Sequence, residues 1–162
     1  MATIPTLVGR QSLFKIDVVL GPNEGCPIRE IYGVPAVRQW ITNILPQLPT
    51  ESGASRSPTE EFDDLLFNFI SSEGRLRYGK MFKDLIPASE ELWELKTWQL
   101  RIFGWFYRKD CFIAVHPDQT VSVKRNTDGY RNAINKVKQA RTVIDLDEPK
   151  YVGGVITNVV TL

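Results

Sequence analysis

The chain has 162 residues, 43% of them hydrophobic and 24% charged, with a formal net charge of +1. That composition suits one domain with a real core and excludes a disordered chain, which carries far fewer large apolar residues. No stretch reaches the roughly 20 apolar residues of a membrane helix, the N-terminus lacks the basic start and apolar run of a secretory signal, and Cys26 and Cys111 form no pair motif, so the expectation is reduced thiols in a cytoplasmic protein with no membrane partner.

The charge is unevenly spread. Residues 51–74 carry one cation against six carboxylates, and residues 75–141 carry fourteen cations against seven. A basic stretch that also holds most of the aromatics suits a polyanion partner, though a solvated face gives the same balance.

Taken in order, Ser12–Gly21 (SLFKIDVVLG) is rich in β-branched residues and predicts a strand. The following PNEGCPIREIYGVP is broken by Pro and Gly and predicts a loop. Pro35 suits a first helical turn, and Val37, Trp40, Ile41, Ile44 and Leu48 follow at helical spacing. After a polar linker, Ser57 and Glu60 form a capping box with Pro58 at the first helical position. Phe62, Leu65, Leu66, Phe69 and Ile70 make its apolar stripe, acidic residues suit its N-terminal dipole, and Gly74 closes it.

The basic GRLRYGKMFKDLIPASEE reads as a loop with a short strand or turn. Three strands are expected next, over Leu92–Thr97, Gln99–Arg108 and Cys111–His116, as an antiparallel meander. TVSVKR (Thr120–Arg125) extends the sheet in this reading. Thr127 caps a last helix on Tyr130, Ala133, Ile134, Val137 and Ala140, and the apolar tail YVGGVITNVVTL is a strand or a partner-pairing segment.

Strand alternation puts Leu100, Ile102, Gly104 and Phe106 on one face of the middle strand. Arg101, Phe103, Trp105 and Tyr107 share the other. A turn at Trp98 resets the parity so that Lys96 faces with Arg101. Two readings stand. Cations and rings converge on an open sheet face that holds phosphates and stacks unpaired bases, or the sheet has a core on both faces and Arg101 rests on a ring or pairs with Glu94.

The pieces LWELK, LRIFGWFYR, CFIAVH, VKR and GYRNAINKVKQAR, in that order, resemble the RelE/HigB-like toxins of bacterial toxin–antitoxin pairs, including their phage-derived branch. The resemblance covers Gly74–Arg141 well and the two upstream helices loosely, which makes 58–141 the best-matched core of a single domain over 1–162, with 1–33 and 142–162 as extensions. It implies an α+β fold: an N-terminal strand and two helices, then an antiparallel β-meander and a C-terminal helix. It also implies an mRNA interferase, a metal-independent endoribonuclease that cuts mRNA on the ribosome and needs no cofactor. Its partners would be the ribosome, mRNA and a cognate antitoxin protein of helix-turn-helix type. In that reading Lys96 activates or orients the 2′-hydroxyl, and Arg101 braces the scissile phosphate. Lys124 or Arg125 meets the phosphate or leaving oxygen, Tyr130 stacks or moves a proton, and His116 is a possible further participant. Arg77, Lys80, Lys83 and Arg131 would bind RNA. Glu94 stands where many members carry a second lysine, and PDQTVSV replaces a glycine-phenylalanine-basic run. The alternative implied by the same superfamily is a catalytically inactive RelE/ParE-like binding protein, a gyrase poison or protein inhibitor, because fold alone does not decide function.

Overall fold

Leu100 to Phe106 are all buried, with no polar-facing side in the alternation. A strand buried on both faces needs a layer on each, and the fold supplies them. In the computed structural model, which describes residues 1–85 and 90–162, the protein is α+β with a six-stranded mixed sheet. Helix α1 (Ile4–Gly9) and strand β1 (Phe14–Ile16) precede β2 (Glu30–Gly33). Helix α2 (Pro35–Gln39) runs on through a π-helical turn, Trp40–Ile44, into a 3-10 turn, Leu45–Gln47. Helix α3 (Pro58–Ile70) and strand β3 (Phe82–Asp84) lead to the meander of β4 (Trp93–Lys96), β5 (Leu100–Arg108) and β6 (Cys111–Gln119). Helices α4 (Thr120–Arg125), α5 (Gly129–Val143) and α6 (Ile156–Val159) complete the chain. The strand order is β1-β2-β6-β5-β4-β3, antiparallel except where β2 runs parallel to β6. No helix among the described residues is long and apolar enough to cross a membrane.

One face of the sheet meets α2, α3 and the tail. Trp93, Leu95, Leu100, Ile102, Phe106 and Phe112 pack there against Phe62, Leu66 and Phe69, as strand and helix periodicity predicts. The other face carries Phe103, Trp105, Ile113 and Val115 beneath Leu7, Val123, Ala133 and Val137 of α1, α4 and α5. The Ser57–Glu60 capping box forms as expected.

Several expectations are corrected. The strand over Ser12–Gly21 shrinks to Phe14–Ile16, because β2 is short and offers only Ile31–Gly33 to pair with it. The Pro/Gly-rich segment before α2 contains β2, whose Ile31 and Tyr32 are both buried and therefore show no alternation. TVSVKR is helix α4 rather than strand. The sheet ends at Gln119, and Thr120 and Val123, three apart, turn one helical face inward. Asp128, not Thr127, stands at the N-cap of α5, without a side-chain capping bond. Helix α3 ends at Ile70 with Ser71 as its cap. Gly74 lies in the turn beyond, where a Cβ would collide with the Asn68 carbonyl. The basic loop does hold the short strand expected of it, at Phe82–Asp84, and 86–89 lie outside the described residues. Pro117 sits inside β6 at no cost to the ladder on the β2 side, since β2 pairs only as far as Ala114.

The tail is helix α6 and not a strand, and it is clamped. Val159 and Val160 are buried in the α3-side core. Buried Arg29 donates from Nη1 to the Phe69 carbonyl at 2.6 Å and from Nε and Nη2 to the Thr161 carbonyl at 2.9 and 2.6 Å. The Asp110 carboxylate accepts from the Thr161 N–H at 2.7 Å. The segments 1–33 and 142–162 both supply core residues, among them Leu7, Ile31, Leu146 and Val159.

Two expected outcomes follow from this packing. Phe69, fully buried against Phe106 and Phe112, should cost about 3–5 kcal/mol when replaced by Ala, read from urea unfolding midpoints. Burial pushes the Cys111 thiol up to about 12, with Glu30 adding to the shift, while Cys26 is exposed. An alkylating reagent on the native protein should therefore add one label, at Cys26, by intact mass; two labels without denaturant would contradict the packing around Cys111.

Candidate functional site

The sheet has two buried faces, so its polar residues reach water only at its margins. The β4–β5 turn is such a margin. Thr97 and Leu100 close a two-residue loop, with the Thr97 N–H donating to the Leu100 carbonyl at 3.0 Å. Lys96 then stands directly opposite Arg101, so the parity reset at Trp98 occurs as predicted and both cations lie on one side of the sheet.

The turn is fixed from below. Glu61 of α3 accepts from the Gln99 N–H at 2.9 Å and from the Thr97 hydroxyl. The buried Gln99 side chain accepts from the Glu51 N–H and donates to the Arg56 carbonyl, both at 2.8 Å. Its own carbonyl accepts from the Thr120 N–H at 2.8 Å, which ties the turn to the start of α4.

A cleft of about 650 Å³ opens around this turn. Lys96 and Arg101 line it from the sheet, Lys124 and Arg125 from α4, Arg77 and Lys80 from the basic loop, and Arg56 from the linker. Against these seven cations stand Glu51, Glu61 and Asp64. Glu61 is occupied by the turn, and Asp64 pairs with Arg56 at 3.3 Å. The surplus of cations gives the cleft a positive potential.

Lys96 is chemically distinct within it. Desolvation lowers its pKa below the ordinary lysine range, and Lys83, Arg101 and Lys124 push the same way while Glu94 opposes. A lysine so placed holds a larger share of neutral amine and is a candidate base.

Arg101 is less free than the sequence suggests. It is only 8% exposed, and its Nη1 donates to the Thr97 carbonyl at 2.6 Å, the Leu100 carbonyl at 2.8 Å and the Thr120 hydroxyl at 2.8 Å. Its Nε lies 3.8 Å from Glu94 Oε2, and Lys83 Nζ lies 3.5 Å from Glu94 Oε1. Glu94 is fully buried, and neither oxygen accepts a hydrogen bond from any of the described residues. The carboxylate that stands in place of the family's second lysine is thus held inside, between two cations.

The open aromatic face does not exist. Phe103 and Trp105 are covered by the α5-side layer, which selects the two-sided core, and Trp105 Nε1 donates to the Lys150 carbonyl at 2.7 Å. Tyr130 packs edge-on against Phe103 at 5.6 Å between centroids and lines a separate depression with Lys83 and Tyr78. His116 stacks on Phe103 and sits 3.7 Å from Asp118, away from the cleft. Arg131 pairs with Asp128 at 3.1 Å on the outer surface. The structure therefore brings together Lys96, Arg101, Lys124, Arg125, Arg77 and Lys80, and leaves out Tyr130, His116, Lys83 and Arg131.

Three contributors escaped the sequence reading. Glu61 looks like a dipole-favoured surface acid, and Gln99 like a turn residue; nothing local marks either as an anchor. Trp98 was legible in principle, because a tryptophan at the apex of a two-residue turn has no core to face. It is 53% exposed and lines the cleft.

Arg101→Ala should destabilise the protein by about 3–5 kcal/mol, since it strips a buried carboxylate of one of its cations. In a Glu94→Gln background the same substitution should cost clearly less, and equal costs in a double-mutant cycle by urea unfolding would show that the two groups are not coupled. A scan against protein-family models finds no match for this chain, and searches of curated proteins and of solved structures likewise find none.

Proposed function

We propose that the protein is a RelE/HigB-like toxin, an endoribonuclease that cuts mRNA on the ribosome and is held silent by a cognate antitoxin of helix-turn-helix type. The observation that carries this reading is the gathering of Lys96, Arg101, Lys124 and Arg125 in one cleft around a lysine with a depressed pKa. The order of elements supports it: a strand (β2), two helices (α2 and α3), the antiparallel meander β4–β6 and the helix α5 follow one another as in the family that the sequence resembles.

The chemistry such a cleft performs needs no more than its own side chains. The neutral Lys96 amine takes the proton of a ribose 2′-hydroxyl. The 2′-oxygen attacks the adjacent phosphorus, and the bond from phosphorus to the 5′-oxygen breaks. A proton from the Lys124 ammonium goes to that leaving oxygen. A 2′,3′-cyclic phosphate and a free 5′-hydroxyl result. Arg125 and the remaining outward edge of Arg101 face the charge that builds on the non-bridging oxygens, where fixed cations act mainly in the transition state.

A second reading has its own support. Arg101 already spends Nη1 on three protein oxygens, and Tyr130 and His116 lie outside the cleft. A site without them suits an anion-binding protein that inhibits by occupancy, as a gyrase poison or protein inhibitor would.

Induced expression followed by primer extension on translated mRNA separates the two. Under the nuclease reading cuts appear, and Lys96→Ala and Lys124→Ala each slow them by about 10²- to 10⁴-fold without loss of the folded state. The sign of the pH effect is fixed by the base. Protonated Lys96 cannot accept, so the rising limb of the cutting rate with pH should follow the depressed pKa of Lys96, and should move when Lys96 is replaced. Growth arrest without any cut would leave the binding reading in place.

A further inference from the structure

We infer that Trp98 is a stacking platform for one unpaired nucleobase, seated at the rim of the cationic cleft so that the base lies on the indole while its phosphates meet Lys96 and Lys124. The inference rests on the proposal that the cleft takes single-stranded RNA, and it names where a base, rather than the backbone, is held.

Three observations carry it. Of the four tryptophans, Trp40, Trp93 and Trp105 are buried in the two cores and Trp98 alone is exposed, at 53%. The backbone beneath it is rigid. Its neighbours Thr97 and Gln99 are held by Glu61, Glu51, Arg56 and Thr120, and none of those bonds involves the indole. The turn thus presents a ring in a set position, so little ordering cost remains when a ligand arrives. The ring also lines the same cleft as the cations, two residues from Lys96 along the chain. A rigid exposed ring beside fixed cations is the arrangement that binds single strands, in which stacking is tolerant of sequence because every base has a π-face.

A protein surface docking on Trp98 would want apolar neighbours. The cleft sets seven Lys and Arg against an apolar lining of Leu65, Met81 and Val121. Beside the turn Gly53, whose φ is +89°, approaches the edge of the indole, and a Cβ there would lie 3.4 Å from it.

The test uses the full chain and a 2′-O-methyl oligoadenylate, which has no free 2′-hydroxyl and cannot be cut, beside an abasic oligomer of the same backbone. Trp98 is the one exposed tryptophan, so its emission is read as the difference between wild type and Trp98→Phe, in which the three buried indoles remain. The oligoadenylate should quench it, and Trp98→Ala should bind that oligomer about 5- to 150-fold more weakly, the range for one base on one ring. Trp98→Phe should recover most of the affinity. The abasic oligomer should bind wild type and Trp98→Ala alike, with the same dependence on salt, since the cations are untouched. Equal affinity of Trp98→Ala and wild type for the oligoadenylate overturns the inference. So does an equal loss with the abasic oligomer, or a wild type that shows no quench at low salt. The probe cannot be cleaved, so a base-dependent loss with no cutting on ribosomes would sink the nuclease reading and leave the platform standing.

Discussion

Everything in this fold answers to the burial of both faces of β5 and β6. Rings from Phe103, Trp105, Phe106 and Phe112 point to opposite sides of the same two strands. Neither side can face water, so each acquires a helical layer. The consequence for function is geometric. A sheet covered on both faces has no open platform, and polar chemistry is confined to the ends of its strands. The cleft forms at such an end, around the turn between β4 and β5, where α3, the basic loop and α4 stop short of one another.

At that boundary the same groups serve packing and charge. Glu94 lies too deep to meet a ligand, yet it draws Lys83 and Arg101 toward it. Arg101 in turn bridges the β4–β5 turn to Thr120. Lys96, just outside, is easier to deprotonate chiefly because it is desolvated; Lys83, Arg101 and Lys124 add to this and Glu94 opposes it. The depressed lysine is therefore a product first of its own desolvation, and then of the cations gathered around it.

How much of this was legible differs by element. Helix α3 and the meander were readable because their signals are local: a capping box, an i, i+3, i+4 stripe, and alternation resolved by a short turn. Strand β2 was not, since a four-residue strand buried on both faces has no period to read. TVSVKR misled because β-branched residues favour strands, while its fate was set by where the sheet ends. For the cleft, parity placed Lys96 with Arg101, and the family resemblance pointed to Lys124, Arg125, Arg77 and Lys80. The reading went astray with the aromatics. Alternation says which residues share a face, but whether a helix lies over that face is decided by α1 and α5, far away in the chain.

The Arg29 clamp has a practical side. It fixes Thr161 to the C-terminal end of α3 and, through Asp110, to the β5–β6 turn. That turn lies at the other end of β5 from the cleft, a nine-residue strand away, or about 30 Å at the usual rise per residue. A tether joined after Leu162 would leave the molecule at its back. On a sensor surface or a bead the protein would stand with its cationic mouth turned outward, held by a rigid stem instead of a swinging tail.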